Sequence, residues 1–546
     1  MNSDFVLQEL KLIDPSMGSG HILVYAFDVL IQLYVAEGFR ERDAVELILR
    51  NNLYGLDIDK RAFQLAYFAL MMKARQYSRR ILNKHIKLNV YTVPEEAGIS
   101  ESDIKLLPMA FPDQEKAFED LETLVTNFRY GSDLGSLIEF KDIDFENLKS
   151  GLNTENTSIF DDDIRKMVCV GELLQQKYDI AVTNPPYMGS SGMNKILSDF
   201  VKKYFPNSKS DLFGVFMERL EKMVKSSGYY SMITQHAWMF LSSFEKIRNK
   251  INKQTIVNML HLGTRAFEEI GGEVVQTTAF VISPADYKNY SGNYVRLVDF
   301  ENHKLKEEKT VAVIEKENTD YLYTTTQNNF TKIPGQPISY WVSENIFSTF
   351  EKAFIKDEFY SAGRMKTHNN NKYIRYFWEV PFNINSYIDW IPYHDGGQYC
   401  KWFGNEYKVV DTRKTAVVFY KKHGGYPNPD LVNKLGITWN LITSSINSFR
   451  IKEPNFLYSS AAPTIINIDN TNSIYSTLGF LNSAVSKILL QSLNPTLNTT
   501  VGDILSLPLI KADKNLEKIV KNNIITCKNN WDSYETSWNF KSHPLI

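Results

Sequence analysis

The sequence predicts an α/β protein, a doubly wound Rossmann-like sheet with helices on both faces, followed by a C-terminal α+β region. Three segments predict the sheet. The apolar residues Leu12-Ile13 enter the turn Asp14-Pro15-Ser16-Met17-Gly18-Ser19-Gly20, and an apolar helical pattern follows from His21 to Leu30. The run Leu53-Tyr54-Gly55-Leu56 ends in Asp57-Ile58-Asp59. The run Tyr178-Asp179-Ile180-Ala181-Val182-Thr183 ends at Asn184-Pro185-Pro186-Tyr187. Strand, Gly-rich turn and helix in that order open the nucleotide-binding half of such sheets.

Residues 1 to 92 read as strand, helix, strand, helix, strand. Residues 93–172 are polar, carry Asp142-Ile143-Asp144 and Asp161-Asp162-Asp163, and read as a solvated insertion of helices and loops. From residue 173 the sheet resumes. Gly228 to Thr234 reads as the next strand, Trp238 to Arg248 as a helix, and Val275 to Ile282 as a further β-rich run. Ile333-Pro334-Gly335-Gln336-Pro337 reads as a domain junction. This gives a sheet domain at 1–335 with its insertion at 93–172, a second domain at 336–510 and a tail at 511–546.

The Gly-rich turn lets backbone approach a ligand closely. Its spacing is not G-x-G-x-x-G, so pyrophosphate is not its natural guest. Asp14 would repel phosphate and suit a positively charged amino-acid moiety. An acid closing the strand after one crossover is where a ribose diol is gripped. Asp57 is the first choice. Asp59 reads better as an N-cap for the helix starting Lys60-Arg61-Ala62-Phe63.

The tetrad at 184–187 offers chemistry of a narrow kind. Asn184 brings a side-chain carbonyl. Pro185 and Pro186 fix φ and remove N–H groups, which leaves carbonyls free to be aimed. Tyr187 brings a flat face. Two acceptors and a ring can hold a planar exocyclic amine, withdraw its lone pair from ring conjugation and make it nucleophilic. Asn-Pro alone also marks ordinary turns, so the weight lies in the combination of turn, acid and tetrad.

These residues resemble the S-adenosylmethionine-dependent DNA adenine-N6 methyltransferases. Their order, cofactor motif then catalytic motif then long C-terminal segment, is that of the gamma group. A closer resemblance is to the adenine methyltransferases of BREX phage-defence systems, relatives of the fused type IIG restriction-modification enzymes, and it extends over nearly the whole chain. It implies S-adenosylmethionine as cofactor, held by Asp14, Pro15, Met17, Gly18, Gly20, Asp57 and Ile58. A polar contact after the third strand would come from Asn89 or from Asp133. Asp211 and Phe213, in Ser210-Asp211-Leu212-Phe213-Gly214, resemble the stretch whose aromatic lies near the cofactor adenine, and read equally as an amphipathic helix. Phe267, before Gly271-Gly272-Glu273-Val274, stands where the family stacks an aromatic on the extruded base. It is one of 33 phenylalanines, and a core role is the simpler reading.

Beyond the junction, Trp, Tyr, Asn and Gly become frequent. Tyr373 to Val380 alternates like a strand. The segments Ser444 to Arg450, Gly479 to Ser483 and Leu493 to Thr496 are similar to target-recognition domains of the same enzymes. Arg364, Lys366, Lys372, Arg375 and Arg413 are the candidate phosphate contacts there. Trp378, Trp390, Trp402 and Trp439 read as core.

Composition sets bounds. A net charge of −2 gives no global sign of a nucleic-acid binder, although a modifying enzyme needs only a locally charged cleft. Three cysteines with no metal-like spacing and no disulfide framework suit a reducing cytoplasm, and no metal site is expected. No apolar stretch reaches membrane-spanning length. The first strand begins close to Met1, whereas the family carries a segment upstream of its cofactor motif. The expectation is a C-terminal portion of a longer or split protein, working on double-stranded DNA with an upstream-encoded portion and other defence-system proteins. Two alternatives are a catalytically weak DNA-binding module and a protein-glutamine or RNA methyltransferase.

Overall fold

A computed structural model describes residues 5–95, 104, 111–152, 161–267, 275–381, 389–443, 446–467, 474–511 and 513–543. The chain divides into two compact units, Met1–Asn328 and Asn329–Ile546.

The first unit is built on nine strands: β1 (Leu12–Asp14), β2 (Leu53–Asp57), β3 (Asn89–Thr92), β4 (Tyr178–Thr183), β5 (Val224–Gln235), β6 (Thr255–Gly263), β7 (Thr277–Ser283), β8 (Ser291–Arg296) and β9 (Leu322–Thr326). Their order in the sheet is β3-β2-β1-β4-β5-β7-β6-β8-β9. Strands β1 to β5 pair in parallel, while β7 runs antiparallel to both of its neighbours and β9 to β8. The chain steps outward from β1 to β3 and then returns to β4. The switch point therefore lies between β1 and β4, where the carboxyl ends of such strands form a ligand crevice.

The sequence dictates this local structure. Helix His21–Ala36 buries Leu23, Ala26, Phe27, Leu30, Ile31 and Tyr34, a spacing that lines one helical face. Gly55 lies in β2 because the turn residue Met17 plugs against it: a Cβ there would stand 2.5 Å from the Met17 sulfur. Asp59 caps helix Lys60–Tyr77 through the Arg61 N–H.

Three expectations change. The insertion is not merely solvated, because helix Gln114–Phe128 buries Ala117, Leu121, Leu124 and Phe128 in a seam of its own. Trp238 to Arg248 is not one helix but two 3₁₀ turns, His236–Met239 and Ser242–Phe244, before helix Glu245–Ile251. The buried Arg248 guanidinium takes the Trp238 and Leu241 carbonyls at 2.9 and 2.7 Å, oxygens that a continuous helix would have used itself. Tyr373 to Val380 is a strand only over Ile374–Tyr376. It is cut short on one side by helix Asn370–Tyr373, capped by Asn369, and on the other by Glu379, whose carboxylate accepts from the Tyr376 N–H at 2.9 Å.

The second unit holds two four-stranded sheets. One has the order β10-β17-β14-β15 and the other β11-β13-β12-β16. The strands are β10 (Phe359–Ser361), β11 (Ile374–Tyr376), β12 (Trp390–His394), β13 (Lys408–Asp411), β14 (Gly436–Trp439), β15 (Phe449–Lys452), β16 (Leu457–Tyr458) and β17 (Thr464–Asn467). Residues placed in a tail by sequence form helix Lys514–Trp531. It lies so close to helix Ile474–Leu481 that a Cβ on Gly479 would come within 2.9 Å of Val520. Trp439 is fully buried, whereas Trp378 is half exposed and stacks on Tyr376 at 4.7 Å. The core reading holds for the first and not for the second.

Candidate active site at the strand switch point

The carboxyl ends of β2, β1 and β4 lie side by side on one edge. From them project, in order, Asp57, the Gly-rich turn and the tetrad. One hydrogen bond joins two of these ends directly: the Thr183 hydroxyl donates to Asp14 at 2.6 Å. The Gly-rich turn runs on from Asp14, and the tetrad runs on from Thr183.

Asp14 is 1 % exposed, and its second partner is the Ser16 N–H at 3.1 Å. Burial pushes its carboxyl up to about 7, against the lowering effect of those hydrogen bonds, and nearby Asp57 adds to the rise. Asp14 is a buried tie between two strand ends.

Asp57 is half-buried, with one carboxylate oxygen accepting the Gly18 N–H and the other the Asp59 N–H, both at 2.8 Å. Gly18 has a φ of 53°, and no heavy atom lies within 4 Å of where its Cβ would stand. The turn thus presents backbone to open space, with spare carboxylate lone pairs beside it. Gly20 serves packing instead: its Cβ would stand 2.9 Å from that of Ala66. Met17 is buried, Pro15 is buried, and Ile58 is exposed at the strand end.

Asn89 and Asp133 separate cleanly. Asn89 opens β3 opposite Tyr54, at the far end of the strand from the Asp57–Thr92 pair, and its amide is spent on the Arg50 carbonyl at 2.7 Å. It thus lies at the amino end of β3, away from Asp57; a strand's polar residue can lie at either end, and sequence does not say which. Asp133 lies in the short helix Gly131–Leu134, and the turn that follows it is held beside the carboxyl end of β2. A Cβ on neighbouring Gly135 would meet Ile58 at 2.7 Å. Buried Arg219 grips the same turn, donating to the Ser136 and Ile138 carbonyls at 2.8 Å each. Asp133 accepts from the Asn194 amide at 2.6 Å, which links the insertion to the loop after the tetrad. Thr183, Asn194 and Arg219 were not foreseen. Thr183 could have been picked out by its place immediately before the tetrad; the other two carry no local signal.

Within the tetrad Asn184 and Pro186 are exposed, Pro185 is buried and Tyr187 is half-buried. The Tyr187 hydroxyl lies 3.1 Å from the Ile233 carbonyl and 3.4 Å from Asn184 Oδ1. Burial, helped by Asp211, pushes the phenol up to about 12, so it remains a donor at neutral pH. Asp211 accepts from Met188 N–H and Phe213 N–H, and Leu212 N–H bonds the Met188 carbonyl at 2.9 Å, which pins the chain leaving the tetrad. Phe213 is 1 % exposed, edge-on to Tyr187 and stacked on Phe244. It is a support under the tetrad rather than a surface for a ligand ring.

Phe267 is half-buried beyond the carboxyl end of β6; the Gly271 to Val274 motif, like Ser444 and Ser445, lies outside the described residues. In the second unit Arg413 is committed to Asp411 at 2.5 Å and lies over Trp390, and Arg375 donates to the Asn371 and Ile374 carbonyls. Each therefore has partners within the unit. Arg364, Lys366 and Lys372 are exposed and form no ion pair among the described residues.

Strand order, switch point and tetrad are those of an S-adenosylmethionine-dependent methyltransferase fold of the restriction-modification kind. Residues 51–267 match the Eco57I restriction-modification methylase family. Over 99 % of its length the chain is 39 % identical to the adenine-specific methyltransferase PglX of Lacticaseibacillus casei (strain Zhang) and 35 % identical to the adenine-specific methyltransferase BrxX of Escherichia coli O9:H4 (strain HS). Over the matched span the chain is thus similar to PglX and BrxX. It spans about half the length of these curated relatives, 47 % of each.

Among solved structures, the fold is similar to a nuclease-deletion mutant of the Type ISP restriction-modification enzyme LlaGI in complex with a DNA substrate mimic. The TM-score is 0.56 at 12 % identity, covering 96 % of this chain and 44 % of that one. It is also similar to the Type IIL enzyme MmeI in complex with DNA, with a TM-score of 0.50 at 9 % identity, covering 98 % and 67 %. Among the described residues no helix is long and apolar enough to cross a membrane.

Proposed function

We propose that this chain carries the catalytic and target-recognition parts of a site-specific DNA methyltransferase that uses S-adenosylmethionine to methylate adenine N6 in duplex DNA, in a BREX or restriction-modification defence system. The single observation that carries this is the 2.6 Å tie between Thr183 and Asp14, which holds the tetrad against the Gly-rich turn. It is supported by the identity to PglX and BrxX and by the DNA-bound state of the structural neighbours.

The residues fit the cofactor. The Gly18 turn offers backbone and open space, Asp57 offers acceptors for a ribose diol, and Asp133 with Ile58 borders the adenine side. When bound, S-adenosylmethionine supplies an electrophilic methyl on a sulfonium. The target adenine must leave the duplex stack to reach the tetrad. Asn184 Oδ1 and the Pro185 carbonyl accept from its amine, and positive charge developing on N6 meets those fixed dipoles. The Tyr187 hydroxyl donates to the Ile233 carbonyl at 3.1 Å, which holds the ring beside Asn184, and that ring offers a stacking face. Much of the rate enhancement then comes from alignment of two bound reactants. Residues 336–510 are assigned to target recognition.

The test is single-molecule sequencing of DNA from cells expressing the wild type or Asn184→Ala. Methylated adenines at one site class are expected in the first and none in the second; identical patterns would end the proposal.

A further inference from the structure

Two loops of the second unit pair as a short antiparallel ribbon. Thr443 N–H donates to the Leu497 carbonyl at 3.0 Å, Thr499 N–H donates to the Leu441 carbonyl at 2.8 Å, and Ile442 stands opposite Asn498. The root is fixed. The buried Trp439 indole donates to the Thr499 carbonyl at 2.8 Å, and the Thr499 hydroxyl bonds Asn447 at 3.2 Å. The tip is not covered: Ile442 is 64 % exposed, Leu497 55 % and Ile446 46 %. Large apolar side chains held out on a stiff, paired backbone call for a partner.

Beside the ribbon runs a cleft of about 370 Å³, walled on its far side by helix Ala484–Leu493. Its lining includes Lys401, Lys487, Asn447, Gln491 and Asn494, and no carboxylate. Lys487 and Gln491 are exposed, one helical turn apart, and make no side-chain hydrogen bond among the described residues. The Thr496 hydroxyl, also in the lining, is buried without a partner there. Cations, amides and apolar tips without acids suit a duplex. Cations meet phosphate, amides read adenine edges in bidentate fashion, and methyl-bearing side chains contact thymine; the major groove admits a two-stranded ribbon.

We propose that this ribbon and cleft are the base-reading element, entering the major groove with Gln491 directed at a base edge and Lys487 at the backbone. The inference rests on the reading of the chain as a DNA methyltransferase. It places sequence choice away from Arg364, Lys366 and Lys372, which then serve affinity alone.

The full chain is tested as wild type, Gln491→Ala, Lys487→Ala and the pair Ile442→Ala with Leu497→Ala. The readouts are duplex-binding affinity and genome-wide methylation motif. Because all four positions are exposed, melting temperatures should match the wild type. Gln491→Ala should relax one position of the motif, by about ten- to a hundredfold in site preference. Lys487→Ala should weaken binding to every sequence alike. The ribbon pair should lose discrimination and affinity together. A wild-type motif left unchanged in all three variants overturns the inference and leaves the methyltransferase reading standing. No methylation by the wild type, with duplex binding that the variants still weaken, upholds the inference and removes that reading. Variants that still bind duplex like the wild type but lose a protein partner would assign the surface to that partner and overturn the proposal.

Discussion

At the scale of single residues, Asp14 makes the sharpest case. Its carboxyl titrates near 7 in the fold against an ordinary 3.8, chiefly because burial disfavours the charged form. A raised folded pKa means the group favours the fold only while protonated. That contribution is fully present below pH 3.8 and is lost as pH climbs to about 7. At 1.36 kcal/mol per unit the loss is on the order of 4 kcal/mol. Asp14→Asn keeps an acceptor for Thr183 and cannot ionise. Melting temperatures of both proteins measured across that window should diverge, the variant gaining on the wild type as pH rises. Parallel curves would mean that Asp14 is solvated in solution. Tyr187 supports a second expectation. Tyr187→Phe keeps the ring on Phe213 and removes the hydroxyl that bonds the Ile233 carbonyl at 3.1 Å and so steadies the tetrad around Asn184. A lost hydrogen bond of about 1.4 kcal/mol lowers turnover roughly tenfold while DNA affinity holds. Turnover at the wild-type level would show that Asn184 needs no such support.

What sequence discloses at this scale depends on whether a residue's role is local. Asn184, Asp57 and Gly18 end strands or make the turn, so their positions follow from pattern alone. Asn89 and Asp133 could not be ranked, because the choice rests on which sheet edge each one reaches. The β2–β3 register sets it for Asn89, and Arg219 helps set it for Asp133: its guanidinium, far away in sequence, grips three backbone carbonyls, Leu174 among them at 3.1 Å. Phe213 reads as a ligand contact in one dimension and as a buried prop in three.

Among elements, the first strand–turn–helix unit contrasts two glycines. Gly20 has a φ of 85° and lies against Ala66, so Gly20→Ala meets both backbone strain and a steric clash. The expected cost is about 2–3 kcal/mol of stability. Gly18 has a φ of 53° but empty space around it. Gly18→Ala should cost only about 1 kcal/mol in stability while lowering cofactor affinity, since the methyl enters the space a ligand needs. Chemical denaturation with calorimetry of S-adenosylmethionine binding separates the two. Equal stability losses would show that the Ala66 contact relaxes freely. Elements with a strong periodic face, such as His21–Ala36, were legible in advance. The 3₁₀ turns after β5 were not, because a side chain from another element, Arg248, captures the carbonyls that would have extended the helix.

For the whole molecule, charge constrains how it can meet DNA. With 61 basic and 63 acidic residues, long-range attraction to a polyanion is absent. On the proposed reading, duplex binding comes from a few local contacts, and salt dependence counts them. Each phosphate neutralised contributes about −0.9 to the slope of log affinity against log salt. Arg364, Lys366 and Lys372 are exposed and unpaired with acids, whereas Arg375 and Arg413 are already engaged. Replacing Lys366 and Lys372 together with Gln should therefore flatten the slope by about 2. Replacing Arg413 should leave it unchanged, because removing it frees Asp411 and weakens the fold instead. The measurement is a salt titration of duplex binding for each variant. If Arg413→Gln flattens the slope and the double lysine variant does not, the Asp411 pair opens on DNA and the contact surface lies on β13.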